Sequence, residues 1–363
     1  MSTSEQTKIL FISRAYPPIT GGIENQNYEL SVWLPKIAQV KTIANRKGKK
    51  ALPFFLPWAT VRALWLAPRY DAILLGDGVL GIVGYAVKCL YPKKTVVSVV
   101  HGLDLTFTSG IYQQWWVKKF LPKLDKLIAV GNETVRVGVE RGIPREKFVF
   151  IPNGVDTEKY FRNYSRQDLE RILKESVSDK KVLLTSGRLA KRKGVAWFIR
   201  NVLPKLPENI VYIVAGDGND KENIRNAVTQ TSMSSRLRLL GFVNDETRDI
   251  LLNTCDLFIQ PNIRVPGDME GFGISVIEAA SCQIPVIASR LEGLQDAIKD
   301  SENGFLVEPE NANGYIEKIR LLLADDTLRE TFGKQARQYV IDNFHWDSIA
   351  KRYLAIIEAT LKK

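Results

Sequence analysis

Apolar residues along this chain fall into short runs separated by longer segments of helical spacing, and the alternation occurs twice. In the first half, residues 8–13, 71–75, 95–100, 127–130 and 147–151 read as buried strands. In the second half, residues 181–186, 210–215, 237–241, 256–260, 285–288 and 304–307 do so. Helical spacing marks about 23–34 near the start and 311–324, 326–340 and 346–361 at the end. Strands alternating with helices of about 10–15 residues predict parallel sheets covered on both faces. The expected class is α/β, with two doubly wound domains: 1–165, then 166–345 beyond a polar passage at 157–180. The stretch 45–70 departs from the pattern. Pro53, Pro57 and Pro68 interrupt it, which argues against one long helix there.

Composition narrows the class further. The chain has 363 residues, 45% of them hydrophobic and 25% charged, as in an ordinary globular protein. The N-terminus, MSTSEQTK, lacks the apolar core of a signal peptide. No apolar run approaches the ~20 residues that span a bilayer. Cys89, Cys255 and Cys282 form no CxxC, and His101 and His345 are the only histidines, so zinc and disulfide frameworks are not expected. The net charge of +11 is uneven: residues 1–165 hold 23 Lys and Arg against 12 Asp and Glu, while the remainder holds 28 of each. Between Leu30 and Tyr70 there are eight basic residues and no acidic one. The two halves therefore face different partners.

The candidate chemistry lies in loops after strands. Gly21 and Gly22 end the loop 14–22 after the first strand, where bare amides can approach a phosphate or a sugar, or simply form a turn. Residues 76–81 match GxGxxG, but the region 20 residues on, 96–100, has no carboxylate, so close helix packing is the better account than a dinucleotide site. His101 stands at a strand end, where ligands bind parallel sheets. Residues 187–194, GRLAKRKG, place four cations in a glycine-bounded loop before a helix, suited to a diphosphate. The richest stretch is 267–289. There Glu270 and Glu278, seven residues apart, flank Gly271-Phe272-Gly273, and a helix start is expected at Ser275. Amides at a helix N-terminus attract anions. Ser275-Val-Ile-Glu278 also fits a capping box, in which Glu278 merely closes its own helix.

The phrase EGFG followed by EAxxCxxPVIAS resembles the nucleotide-sugar site of retaining glycosyltransferase family 4, whose GT-B fold is two Rossmann-like domains facing across a cleft. The resemblance runs from Gly21 to about residue 345, and it implies that the last helix, 346–363, crosses back to the first domain. It includes PNGVD at 152–156, GR…KG through Arg188 and Lys193, and the HG pair at His101. It implies that Gly21 and Gly22 lie beside the donor and that Arg188, Lys193 and the amides of Gly271, Phe272, Gly273 and Ile274 hold its diphosphate. Glu278 would take the ribose hydroxyls, Glu270 and His101 the transferred sugar, and the loop with Val243 the base, through backbone. The implied activity is metal-independent, retaining transfer of a hexose, of mannose or glucose type, with no cofactor beyond the nucleotide-sugar donor. The sequence has no Asp-x-Asp pair, which agrees. The expected acceptor is lipid-linked or a glycan, in polysaccharide or glycolipid synthesis. Lys and Arg interleave with Trp and Phe in 45–70 and 111–127, so an anionic membrane surface on the cytoplasmic side, and no nucleic acid, is the expected further partner. A GT-B epimerase or phosphorylase and a non-enzymatic basic binding module are the alternatives. Glu270 and Lys193 sit in loops, where substitution is expected to spare the fold.

Overall fold

The computed structural model describes residues 6–19, 21–161 and 163–362. It divides into two units, one comprising the chain to Gly154 together with Trp346 onward, the other Val155–His345. Residues 1–5 of the N-terminal reading, and Thr20 of the 14–22 loop, lie outside the described residues.

The first unit holds β1 (Lys8–Ser13), β2 (Gln39–Ala44), β3 (Ala72–Leu75), β4 (Thr95–Val100), β5 (Lys126–Ala129) and β6 (Phe148–Phe150). They form one parallel sheet in the order β2-β1-β3-β4-β5-β6. The sequence pattern missed β2, because at this sheet edge its exposed and half-buried residues break the apolar run. The helices α1 (Gly22–Trp33), α2 (Leu52–Leu66) and α3 (Gly81–Leu90) follow the first strands. The Trp346–Leu361 helix belongs to this unit: Trp346, Ile349, Ala350, Tyr353 and Ile357 share one buried cluster with Ile9, Phe11, Leu74 and Val97. Gln26 Nε2 donates to Tyr353 Oη at 2.9 Å, and Thr7 Oγ1 to Glu358 Oε1 at 2.8 Å.

The second unit holds β7 (Lys181–Ser186), β8 (Ile210–Ala215), β9 (Leu237–Gly241), β10 (Leu257–Gln260), β11 (Val286–Ser289) and β12 (Phe305–Val307), parallel in the order β12-β11-β10-β7-β8-β9. Thr157–Tyr160 and the Arg166–Leu173 helix, read in sequence as a passage, pack in this unit through Tyr160 and Leu169. The strand order reverses between β7 and β10 here and between β1 and β3 in the first unit. At such a switch point adjacent crossovers leave in opposite directions, and a crevice opens outside the carboxyl ends.

One expectation is corrected. Residues 52–66 form one helix despite their prolines. Pro53 lies in the first turn, where a missing N–H costs nothing, and Pro57 removes only the bond to the Pro53 carbonyl. Of the tryptophans at 115–116, Trp116 turns in, its Nε1 donating to the Val79 carbonyl at 2.7 Å. Trp115 is exposed, with Lys119 Nζ over its ring. The glycines of 76–81 pack closely, as expected: a Cβ on Gly76 would lie 2.6 Å from Asn27 Oδ1, and one on Gly81 3.0 Å from Leu121 Cδ2.

Candidate functional site

The second unit's switch point is built by the loops after β7 and β10. The first carries Arg188, Lys191, Arg192 and Lys193; the second runs from Pro261 to Gly273. The loops are tied together, the Ile263 N–H donating to the Arg192 carbonyl at 2.8 Å. Gly194 makes the approach possible. Its φ is +65°, and a Cβ there would sit 1.8 Å from the Pro261 carbonyl oxygen.

At their junction Lys193 Nζ meets Glu270 Oε2 at 2.6 Å, and both residues are only 8% exposed. Asn262 Nδ2 donates to the same oxygen at 3.2 Å, and Arg192 Nε lies 3.6 Å from it. Asn262 is itself held by Gln260 Nε2 at 2.6 Å, and Arg192 pairs with Asp268 at 3.1 Å. The Glu270 N–H donates to Glu292 Oε2 at 2.6 Å. Burial alone would raise the Glu270 carboxyl. The charges of Lys193 and Arg192, with the Lys193 and Asn262 hydrogen bonds, outweigh it and hold the group below the usual carboxylate range. Two residues assigned separately to phosphate and to sugar thus form one buried pair. The expectation that either could be removed without cost to the fold is corrected, because each would leave the other charge buried alone. Asn262, Arg192 and Glu292 were not singled out in the sequence. Arg192 was legible as one of four loop cations; nothing local marked Asn262 or Glu292.

The Gly271–Ile274 stretch opens the Ile274–Ser281 helix, whose cap is Gly273 at φ +87°. Among the described residues the N–H groups of Gly271, Phe272, Gly273 and Ile274 donate no hydrogen bond. Four bare amides at a helix start make an anion cradle. The Phe272 side chain is buried against Phe344, so only its backbone faces a ligand. The helix starts one residue before Ser275, and the capping box is not formed. Ser275 Oγ reaches Gln260 Oε1 at 3.4 Å, and Glu278 Oε1 accepts from Tyr160 Oη at 2.9 Å. Glu278 is free of capping duty and half-buried on the helix side. Arg188 is exposed in its loop. Val243 packs its side chain on the core between exposed Phe242 and Asn244, whose Oδ1 caps the next helix by accepting from the Thr247 N–H at 2.8 Å.

In the first unit, Gly21 caps α1 and Gly22 is its exposed first residue. His101 follows β4. Its Nε2 is 3.1 Å from the Gly76 carbonyl, and its N–H donates to Asp104 at 3.0 Å. The Gly78 N–H donates to the same carboxylate at 2.9 Å, so Asp104 binds the 76–81 loop to the His101 loop. Burial raises the Asp104 carboxyl above its usual range, more than His101 and these N–H groups lower it.

Comparison with known proteins agrees with this fold. The family model described as glycosyl transferases group 1 matches residues 167–339, and that of glycosyltransferase family 4 matches 16–159. An uncharacterised glycosyltransferase of Methanocaldococcus jannaschii is 26% identical over 98% of this chain and 99% of its own. The Escherichia coli UDP-Gal:alpha-D-GlcNAc-diphosphoundecaprenol alpha-1,3-galactosyltransferase is 26% identical over 76% of this chain and 72% of its own. Among solved structures, Anabaena HepE in complex with UDP superposes with a TM-score of 0.78 at 20% identity, covering 97% of this chain and all of that one.

Proposed function

We propose that this chain, which belongs to glycosyltransferase family 4 and has the GT-B fold, moves a hexose from a nucleotide-diphosphate sugar to a lipid-linked acceptor with retention at the anomeric carbon. Glycosyl transfer from a nucleotide sugar follows from the family; the sugar, the stereochemistry and the acceptor are the proposal. The observation that carries it is the buried Lys193–Glu270 pair set beside four bare amides at a topological switch point.

In this reading the donor diphosphate lies on the Gly271–Ile274 amides with Arg188 and Lys193 beside it. Lys193 has three ammonium hydrogens, and Glu270 engages one. Among the described residues the Asn262, Arg192 and Lys193 contacts of the Glu270 carboxylate fall on Oε2, which leaves Oε1 for a hydroxyl of the transferred sugar. Glu278 takes the ribose hydroxyls, and Val243 and its neighbours meet the base through backbone. As the bond from C1 to the diphosphate breaks, negative charge grows on the leaving oxygen. Fixed cations and amides stabilise that charge without reorganising. The acceptor hydroxyl attacks C1 on the face the diphosphate leaves, and the departing phosphate oxygen takes its proton. Cations placed on the leaving group do the work a metal ion would do, so we propose metal-independent transfer. The undecaprenol-linked substrate in the name of the Escherichia coli relative supports a lipid-linked acceptor, in polysaccharide or glycolipid synthesis. Such an acceptor brings the enzyme to the inner membrane face, which the basic segments 45–70 and 111–127 suit.

The test is a thermal-shift panel of UDP-, GDP- and ADP-hexoses, followed by the anomeric configuration of the product. A donor at 100 times its Kd adds about 2.7 kcal/mol of apparent stability. A panel in which none raises the melting temperature, or a product of inverted configuration, overturns the proposal.

A further inference from the structure

The least explained surface of the first unit is α2. Its sequence, LPFFLPWATVRALWL, is apolar around its whole circumference, with Thr60 and Arg62 as its only polar side chains. One side, Phe55, Ala59, Ala63 and Leu66, is buried against the unit. The other presents Phe54 (81% exposed), Trp58 (51%), Val61 (66%) and Trp65 (56%), one stripe at helical spacing. A helix apolar all round belongs in a core or a membrane, and a contiguous exposed apolar stripe marks a contact surface. Thr60 does not disturb the stripe, because its Oγ1 donates to the Leu56 carbonyl at 2.8 Å.

Charge says what covers the stripe. Arg46, Lys47, Lys49 and Lys50 stand exposed before the helix, and Arg69 after it. Lys49 and Lys50 oppose the helix dipole, and no capping side chain or first-turn acid offsets them. The guanidinium carbons of Arg62 and Arg69 lie 5.2 Å and 4.4 Å from the centroid of the Trp65 ring. A second copy of the chain is a poor occupant. A twofold contact would set these cations against their own kind. One helix face, about 22 Å long and about 10 Å wide, also falls far short of the ~800 Å² per partner of a stable dimer. The bilayer interface takes Trp and Phe at the headgroup level and anionic phosphates on the flanking cations. The surface continues past α3, on which both α2 and the 113–120 segment pack, to exposed Ile111 and Trp115 and the cations Lys118 and Lys119.

We propose that α2 is an in-plane membrane anchor. The Phe54–Trp58–Val61–Trp65 stripe enters the interfacial zone of an anionic bilayer, and the cations at the helix ends engage lipid phosphates. This rests on the reading of a membrane-apposed enzyme given above and deepens it from adsorption by charge to insertion by an apolar face. At 15 residues α2 is too short to span, and among the described residues no helix is long and apolar enough to cross a membrane.

The experiment compares the wild type with a Phe54→Gln, Trp58→Gln, Trp65→Gln variant on neutral and phosphatidylglycerol-containing vesicles. All three sites are exposed and Gln is a good helix former, so the variant keeps the wild-type melting temperature and donor-induced shift. The wild type is expected to float with anionic vesicles even at high salt, where the Debye length shrinks to ~3 Å. Brominated acyl chains then quench its tryptophan emission. In the variant, partition falls by ~10-fold or more and the quenching is lost. Flotation that vanishes at high salt with no quenching overturns insertion and leaves peripheral adsorption standing. No flotation on any vesicle overturns both. A variant that floats and is quenched like the wild type overturns the assignment to α2. A dimer of the wild type that the variant abolishes assigns the stripe to a second copy instead.

Discussion

Lys193 and Glu270 carry two burdens at once, stability and chemistry, and substitutions separate them. Removing one partner of a buried ion pair costs about 3–5 kcal/mol, because the survivor stays buried without compensation. Lys193→Ala is expected to lower the urea midpoint accordingly and to reduce turnover by orders of magnitude, through the ~3–4 kcal/mol typical of one lost preorganised contact. Replacing both with Met removes both charges together, so the midpoint recovers while turnover does not; recovered turnover would remove the pair from the site. Acid gives a second handle. The Glu270 carboxyl is depressed in the folded state, so its contribution is complete above the ordinary glutamate value of ~4.3 and is lost as pH falls through the lower folded value. The stability gap between the wild type and Glu270→Gln, measured by urea unfolding, is expected to be full at neutral pH and to close on acidification. Glu278 behaves differently, since it caps nothing: it accepts from Tyr160 and feels the charge of Arg248. Glu278→Gln keeps an acceptor for Tyr160 but loses the charge that binds a ribose diol strongly. An unchanged melting temperature with weakened donor affinity by calorimetry is the expected result.

Elements act here mainly through their ends. The loop after β7 and the loop after β10 come from different crossovers, and Gly194 is where they touch. Gly194→Ala demands a left-handed backbone of an L-residue, at about 1–2 kcal/mol, before the clash with Pro261 is counted. The variant is therefore expected to push the 261–270 loop away, separate Lys193 from Glu270 and lose donor binding. Its thermal shift with the selected nucleotide sugar checks this, and a wild-type shift would show that the loops need not touch. The helix ends follow the same logic. Gly273 lets the Ile274–Ser281 helix start with bare amides, and a Cβ there would meet Leu294 at 2.6 Å. By contrast α2 tolerates its prolines, because one lies in the first turn and the other forfeits a single bond.

For the whole molecule, the division of the chain predicts which fragments fold. The second unit is continuous from Val155 to His345, and its sheet and clusters lie inside those bounds. The fragment 155–345 is expected to unfold cooperatively alone, by circular dichroism, and to keep a nucleotide-induced thermal shift. The first unit is discontinuous. Without 346–363 it loses Trp346, Ile349, Tyr353 and Ile357 from its core, each worth about 1.5–3 kcal/mol of burial. Together these approach the ~5–15 kcal/mol net stability of a domain, so the fragment 1–154 is expected to fail to fold until the C-terminal helix is restored.

The sequence by itself determined the two α/β units, nearly every strand, and the loops that bear the chemistry. Strands buried on both faces must be written as unbroken apolar runs, and ligand loops must carry glycine and charge where amides and cations are needed. The edge strand β2 escaped because it is not buried on both faces, and α2 because a proline's effect depends on which turn it occupies. Tertiary structure alone decided that Lys193 is neutralised by Glu270, that Asn262 holds that carboxylate and Glu292 the Glu270 backbone, and that Glu278 answers to Tyr160 rather than to its own helix. Apart from Asn262, those partners lie on different segments between strands, and strand order, which local periodicity does not encode, sets which segments meet. The same holds for the outward stripe of α2. A helix apolar on every side announces two contacts in its sequence, and only the packed fold shows which of them the protein makes with itself.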